Sequence, residues 1–143
     1  MNDFEVIEVA STEIVDLLKD SALPILDIED SRSIFVGIYT DNKLVGCVGI
    51  QIIDEIALLR SLAVSKEYRG QGLAIKLTKA IIQKAKSRSI NSLFLLTTDA
   101  EKFFVKVGFE KIIKTSAPNG IKETKQYSEI CSDSAVVMEL KLN

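Results

Sequence analysis

The stretch that decides the fold is LAVSKEYRGQGLA, residues Leu62–Ala74. In it, an apolar run leads through a loop with two glycines, Gly70 and Gly72, into a segment of helical periodicity. Glycines let backbone N–H groups approach an anion closely, and a helix start directs unpaired N–H groups and the positive end of its dipole toward that anion. We therefore expect a phosphate at this turn, against the alternative of an ordinary surface loop that caps a helix.

Two common phosphate-binding patterns do not fit this loop. A P-loop requires Gly-Lys-Ser or Gly-Lys-Thr, which the segment lacks. A dinucleotide-binding Gly-x-Gly-x-x-Gly pattern that starts at Gly70 meets Ile75 where its third glycine belongs. The spacing that remains is Arg69-x-x-Gly72-x-Ala74.

Strand and helix signals surround the loop on both sides. Upstream, the predicted elements are a strand at Phe4–Val9, a capped helix through Ile14, Leu17 and Leu18, a short helical stretch after Pro24, and strands at Ser33–Thr40, Leu44–Ile53 and Ile56–Val64. Downstream, they are a helix from Gly72 to Ser87, a strand at Ser92–Thr97, a helix at Ala100–Val107, a strand at Phe109–Thr115, a helical segment at Ile121–Ile130 and a last strand at Ala135–Leu142. No repeat or Pro/Gly-rich linker interrupts residues 1–143, so we expect one domain with a mixed α/β sheet and helices on both faces.

Composition excludes several classes of function. The 143 residues are 47% apolar and carry a net charge of −2, which gives no broad positive field for nucleic acid or an anionic membrane. Because histidine is absent, His-based triads and His-containing zinc or haem sites are excluded. Cys47 and Cys131 fit no metal or redox spacing. We expect no metal, no nucleic-acid partner and no membrane partner.

The cysteines and the N-terminus both bear on location. The two cysteines are typical of reduced thiols in a cytosolic protein. The first residues lack the basic and apolar regions of a signal peptide, and no run of about 18 apolar residues is present to span a bilayer. We expect a cytoplasmic protein.

Two segments resemble the signatures of one enzyme family. Arg69-x-x-Gly72-x-Ala74 is similar to the (Gln/Arg)-x-x-Gly-x-(Gly/Ala) pyrophosphate loop of the GNAT N-acetyltransferases, and Ala100–Phe109 is similar to the helix-to-strand segment of that family that ends in Gly-Phe. The resemblance covers nearly the whole chain. It implies a single-domain, mostly antiparallel mixed sheet with a central splay, and an acetyl-CoA-dependent N-acetyltransferase.

The resemblance implies which residues meet acetyl-CoA. Leu62, Ala63 and Val64 would line the pantetheine cleft, with a main-chain N–H near Leu62 polarising the thioester carbonyl. The pyrophosphate loop would comprise Arg69, Gly70, Gln71, Gly72, Leu73 and Ala74. Thr97 stands where the family often has asparagine, and Phe104 stands where many members carry a tyrosine that protonates the leaving thiolate.

Each candidate residue for the acceptor side of the site also has a structural interpretation. Strand alternation predicts that Arg60 shares a face with Leu58, Leu62 and Val64, where its guanidinium would hold an anionic group; a surface arginine is the alternative. Glu55 is a candidate base acting through water, or else a solvated turn carboxylate. Tyr127 and Cys131 are candidate acceptor contacts, or else structural residues.

A closer resemblance concerns three segments, Leu59–Val64, Leu95–Phe104 and Cys131–Met138, which are similar to the arsenic-resistance N-acetyltransferases. That resemblance implies an amine acceptor that bears arsenic or another anionic group. The alternatives are an amino-acid N-acetyltransferase and a non-catalytic acyl-CoA-binding module. Since many members of the family dimerise through C-terminal strands, the resemblance also implies a homodimer.

Overall fold

One sheet organises the computed structural model, which describes residues 6–21, 32–130 and 134–142. Its strands are β1 (Val6–Val9), β2 (Ser33–Thr40), β3 (Lys43–Ile53), β4 (Ile56–Val64), β5 (Ser92–Thr97), β6 (Glu110–Ile112) and β7 (Val136–Lys141). The helices are α1 (Val15–Asp20), α2 (Leu73–Ser87), α3 (Glu101–Lys106), α4 (Asn119–Lys122) and α5 (Lys125–Ile130). Short 3-10 turns occupy Ser11–Ile14, Lys66–Tyr68 and Lys114–Ser116.

The strand order is β1-β2-β3-β4-β5-β7-β6. Adjacent strands pair antiparallel except β4 and β5, which are parallel. The β2–β3 hairpin closes at Thr40 opposite Lys43, because Asp41 and Asn42 adopt φ of 52° and 62°, the left-handed values that a two-residue type I′ turn needs. This confirms the expected mixed, mostly antiparallel sheet.

The parallel pairing of β4 and β5 is short. It runs only from Ile56 opposite Ser92 to Leu58 opposite Phe94, although both strands continue beyond that point. β4 stays paired with β3 as far as Val64, and β5 stays paired with β7 as far as Thr97. The sheet therefore splays between β4 and β5, as the resemblance to the GNAT N-acetyltransferases implies.

Helices cover both faces of the sheet. The apolar stripe of α2, formed by Leu73, Leu77, Ile81 and Ala85, is buried on one face together with Phe104 of α3. On the other face, α1 packs through Leu17 and Leu18 against β2, β3 and β4. There also, α4 and α5 pack through Ile121 and Tyr127 against Leu58, Phe94 and Val137. In the described segments, no helix is both long and apolar enough to cross a membrane.

Two predicted elements are corrected by the structure. The strand expected at Phe109–Thr115 is confined to β6, because a 3-10 turn at Lys114–Ser116 redirects the chain. The single helical segment expected at Ile121–Ile130 is divided into α4 and α5. Thr124 separates them, and its Oγ1 accepts the Tyr127 N–H at 3.1 Å as an N-terminal cap of α5. The stretch after Pro24, residues Phe4 and Glu5, and Cys131 lie outside the described residues.

Gly49 in β3 lies directly against the ring of Phe35, so a substitution there measures how closely the sheet is packed. A Cβ added there would overlap the ring of Phe35, which is itself buried. Gly49→Ala is expected to lower the free energy of unfolding by about 1–3 kcal/mol through overpacking, measured by urea denaturation. In a Phe35→Leu background the same change should cost less, because the obstructing ring is gone. Equal costs in both backgrounds would contradict the contact.

Candidate active site

A cleft of about 420 Å³ lies where β4 and β5 diverge. β4 contributes every residue from Leu58 to Val64, and β5 contributes Leu95, Leu96 and Thr97. The remaining lining residues are Ser21, Arg69, Ala74, Asp99, Ala100, Phe103, Phe104 and Gln126. Ala74 and Phe104 belong to helices on one face of the sheet, and Gln126 belongs to a helix on the other. The cleft therefore reaches from one face of the sheet to the other.

A β-bulge interrupts β4 at the centre of the cleft. Cys47 of β3 lies opposite Ala63, but Gly49 lies opposite Arg60, so β4 carries one extra residue between those two pairs. Ser61, within this bulge, has a φ of 61°. A non-glycine residue in the left-handed region is strained, and such strain is held in place only by its surroundings.

The bulge corrects the expected orientation of Arg60. One inserted residue reverses the alternation of side chains between the faces of a strand. Beyond the bulge, Ala63 joins the cluster beneath α1, whereas Val64 packs in the α2 cluster with Leu59. Arg60 therefore shares a face with Leu58 and Ala63, and not with Leu62 and Val64 as strand alternation predicts. It still lines the cleft and is only 3% exposed.

Two side chains hold the bulge through Ser61. Arg60 Nε donates to Ser61 Oγ at 3.1 Å, and Cys47 Sγ donates to the Ser61 carbonyl oxygen at 3.3 Å. Burial raises the pKa of the Cys47 thiol to about 12, so the thiol keeps the proton that it donates. Because a trans peptide points its C=O and N–H in opposite directions, the bond from Cys47 directs the Leu62 N–H away from Cys47.

The glycine loop lies beside the cleft: its two ends, Arg69 and Ala74, line the cleft, whereas residues 70–73 between them do not. Gly70 and Gly72 both have a φ of 80°, and a Cβ at either position would meet no atom within 4 Å. The first helical bond of α2 runs from the Lys76 N–H to the Gly72 carbonyl at 3.1 Å, which leaves the N–H groups of residues 73–75 without a helical acceptor. Arg69 Nε donates to the Val64 carbonyl at 2.9 Å and so ties the loop to the end of β4.

The wall opposite β4 is largely apolar. Phe104 is buried and packs edge to face against Phe103 and Phe109, with ring centroids 5.1 and 5.6 Å apart. Thr97 Oγ1 accepts the Ala100 N–H at 2.9 Å, which fixes the turn that leads into α3. Phe104 offers no proton to a reacting group.

The remaining predicted site residues lie elsewhere. Glu55 is exposed in the β3–β4 turn, where its carboxylate accepts a hydrogen bond from Asn91 Nδ2 at 3.4 Å, and it does not line the cleft. Tyr127 is half-buried in the cluster around Leu58 and Phe94, also outside the lining. The sequence did not predict four polar or charged lining residues, Ser21, Ser61, Asp99 and Gln126. Among the residues that the structure describes, no group of three or more His, Cys, Asp or Glu is arranged to hold a metal ion.

Comparison with known proteins identifies the family. The model of the acetyltransferase (GNAT) family matches residues 3–109, about three quarters of the chain. The chain belongs to the GNAT acetyltransferase family.

Curated relatives of this GNAT protein are longer than the chain itself. It is 30% identical over 112 residues to the [citrate [pro-3S]-lyase] ligase of Escherichia coli, a match that covers 73% of the chain and 30% of that relative. It is 32% identical over 95 residues to an uncharacterised N-acetyltransferase of Chlorobaculum tepidum, covering 66% of the chain and 60% of the relative. The chain thus spans less than two thirds of the length of either relative.

Solved structures share the fold of this GNAT protein at low identity. A GNAT-family acetyltransferase from Staphylococcus aureus superposes with a TM-score of 0.77 at 19% identity, covering 98% of this chain and 99% of that one. An N-acetylglutamate synthase from Neisseria gonorrhoeae, in complex with coenzyme A and N-acetylglutamate, superposes with a TM-score of 0.74 at 19% identity, covering 99% of this chain and 36% of that one. Both comparisons establish the fold.

The Cys47 thiol gives this GNAT protein a testable pH dependence. Its pKa is about 12 in the folded protein against an ordinary value of 9.0. Below pH 9 the thiol is protonated whether the chain is folded or unfolded, and its contribution to stability is fully present. Between pH 9 and 12 only the unfolded chain loses the proton, so that contribution is lost as the pH rises.

The quantity to measure is the difference in the free energy of unfolding between the wild type and Cys47→Ala. This difference should fall above pH 9 by up to about 1.4 kcal/mol per pH unit, measured by urea denaturation at pH 8.0 to 10.5. Every other titratable group is present in both proteins, so its contribution cancels in the difference. A difference that is constant over this range would contradict a buried, protonated thiol.

Proposed function

We propose that this protein transfers the acetyl group of acetyl-CoA to a small amine that carries an oxyanion, such as an amino-bearing organoarsenical. The observation that carries the proposal is the position of Arg60. Arg60 is 3% exposed, lines the cleft, and lies beside the bulge at the point where the parallel pairing of β4 and β5 has ended. A planar cation in a narrow cleft suits a carboxylate, phosphonate or arsonate.

The glycine loop fits the diphosphate of acetyl-CoA. Open space at the Cβ positions of Gly70 and Gly72 allows close approach, and the unpaired N–H groups at the start of α2 supply donors. Beyond Leu58, the backbone of β4 has no strand partner on the β5 side. Leu62 and Val64 are therefore available there to hydrogen-bond the amides of a pantetheine arm.

The reaction that we propose is direct transfer without an acyl-enzyme. Acetyl-CoA supplies an acetyl group already activated as a thioester. The Leu62 N–H, directed by the Cys47 bond to Ser61, would stabilise the negative charge that develops on the carbonyl oxygen. Arg60 would hold the oxyanion of the acceptor and so position its amine. Phe104 leaves protonation of the thiolate to water.

The lining of the cleft favours an amine that is uncharged near pH 7. Of the lining residues in the described part of the chain, the titratable ones are Arg60, Arg69 and Asp99, and Glu55 lies outside the cleft. None of these is a histidine, the side chain that most often serves as a base near neutral pH. An aryl amine is already uncharged at that pH and needs no base, which agrees with the resemblance to arsenic-resistance N-acetyltransferases.

Two other functions remain candidates. An α-carboxylate would suit Arg60 equally well, and the shared fold with an N-acetylglutamate synthase favours an amino-acid acceptor. The absence of a hydroxyl at Phe104 favours a non-catalytic acyl-CoA-binding module. The same assay separates all three.

The proposal predicts a preference within matched pairs of acceptors. Release of CoA thiol from acetyl-CoA is measured with 4-aminobenzoate against aniline, with 4-aminophenylarsonate, and with L-glutamate. The anionic aryl amines should be acetylated with a kcat/KM at least about tenfold above that of aniline, because Arg60 binds the anionic group. Arg60→Met should lower kcat/KM for the anionic aryl amines far more than for aniline and so remove this preference, while Arg60→Lys should keep part of it. Circular dichroism and thermal melts check that the variants fold.

Other results would redirect the proposal. Turnover of L-glutamate alone would indicate an amino-acid acetyltransferase. Tight binding of acetyl-CoA without turnover of any amine would indicate a binding module. Equal rates for 4-aminobenzoate and aniline would remove Arg60 from the acceptor site.

The glycine loop predicts a specific loss of acetyl-CoA binding. Gly70→Ala places a methyl group in the open space of the glycine loop and strains a residue with a φ of 80°. The KM for acetyl-CoA should rise about tenfold, measured with the acceptor saturating. Gly108→Ala is the control, because Gly108 also has a positive φ, of 107°, but lies between α3 and β6 and not in the glycine loop. Equal effects of the two substitutions on KM would argue against a diphosphate at the loop.

A further inference from the structure

Gln126 is a buried polar residue that the proposed reaction has not used. It lies on α5, lines the cleft and is only 6% exposed. Within residues 6–21, 32–130 and 134–142, the Gln126 amide makes no hydrogen bond, although it can donate two and accept two. An amide that lines a cleft and has hydrogen-bonding capacity left toward the described residues is completed by a ligand or by water.

The backbone that carries Gln126 is fixed. The Thr124 hydroxyl donates to the Ile121 carbonyl at 2.7 Å, and its oxygen accepts the Tyr127 N–H at 3.1 Å, which anchors the first turn of α5. The neighbouring Tyr127 packs against the cluster around Leu58 and Phe94. The amide is therefore held at the cleft by a short, capped helix.

Gln126 and Arg60 belong to the same side of the sheet. Arg60 shares a face with Leu58, and α5 covers that face. The glycine loop begins α2, which covers the opposite face. Gln126 therefore borders the part of the cleft assigned to the acceptor and not the part assigned to the diphosphate.

We propose that Gln126 determines which amine is bound, by hydrogen-bonding the acceptor directly. Its carbonyl oxygen accepts an N–H of the amine, while Arg60 holds the anionic group. This inference rests on the proposed function. A neutral amide stabilises the ammonium form, which has no lone pair with which to attack, less than a carboxylate does. A carboxylate at this position would stabilise the ammonium form and raise the pKa of the bound amine.

Two variants and two probes test the inference. The probes are 4-aminobenzoate, whose amine is uncharged at neutral pH, and 4-(aminomethyl)benzoate, whose amine is mostly protonated there. Gln126→Met keeps the length of the side chain and removes the amide. It should raise the KM for 4-aminobenzoate about fivefold to tenfold and leave the KM for acetyl-CoA unchanged. Ser128→Ala, an exposed change on the same helix, should alter neither value.

Gln126→Glu tests direct contact with the amine, because the pH dependence of kcat would not change if Gln126 had only a structural role. The carboxylate should tighten the binding of 4-(aminomethyl)benzoate and shift the rising limb of its kcat–pH profile upward by about one unit. Gln126→Met should leave the position of that limb unchanged. If both variants leave acceptor KM and the pH limb unchanged, or if only the KM for acetyl-CoA rises, Gln126 is not an acceptor contact.

Binding measurements separate this inference from the proposed function. Titration calorimetry of the CoA-loaded protein with 4-aminobenzoate requires no turnover. If the wild type binds this probe without acetylating any amine, the proposed function fails, and weaker binding by Gln126→Met still supports the contact. If neither probe binds, or if Gln126→Met binds both as tightly as the wild type, the inference is overturned.

Discussion

The early end of the hydrogen bonding between β4 and β5 is the constraint on which the rest of the structure depends. Two strands that part after Leu58 and Phe94 must each remain paired on the other side, and they do, with β3 and β7. The two halves of the sheet are still held together by one apolar cluster, in which Leu59 of β4 and Leu95 of β5 pack with α2. The cleft thus exists because helices and side chains maintain a separation that backbone pairing would close.

The bulge in β4 gives the cleft its polar centre. A left-handed Ser61 costs on the order of 1–2 kcal/mol. A hydrogen bond contributes about 1 kcal/mol, and more where the donor is charged as in Arg60, so the bonds from Arg60 and Cys47 are of the size needed to offset the strain. Strain retained at a cleft is typical of positions that a ligand uses. The same inserted residue turns Leu62 and Val64 to the α2 face, opposite the face that Arg60 shares with Leu58.

Much of the fold and part of the site were predictable from the sequence. The strands β2 to β4 and the helix α2 are predicted by long runs of regular apolar periodicity. The glycine loop is predicted by Gly70 and Gly72, because glycine adopts positive φ values without strain. The bulge was not predictable, because an inserted residue leaves the apolar pattern of β4 unchanged, and Ser61 is not a residue type that marks a positive φ. Whether Gln126 or the predicted Tyr127 lines the cleft depends on how α5 is rotated about its own axis. That rotation is fixed by Thr124, which divides a segment that reads as one helix.

The passage of the cleft through the sheet has a consequence for kinetics. A molecule that enters from the α2 side does not obstruct one that enters from the α1 and α5 side, so the shape of the site imposes no order of arrival or departure. Two reactants can be present together, with their reactive atoms meeting in the plane of the sheet. A site of this kind has no need to store a group covalently while one reactant replaces the other.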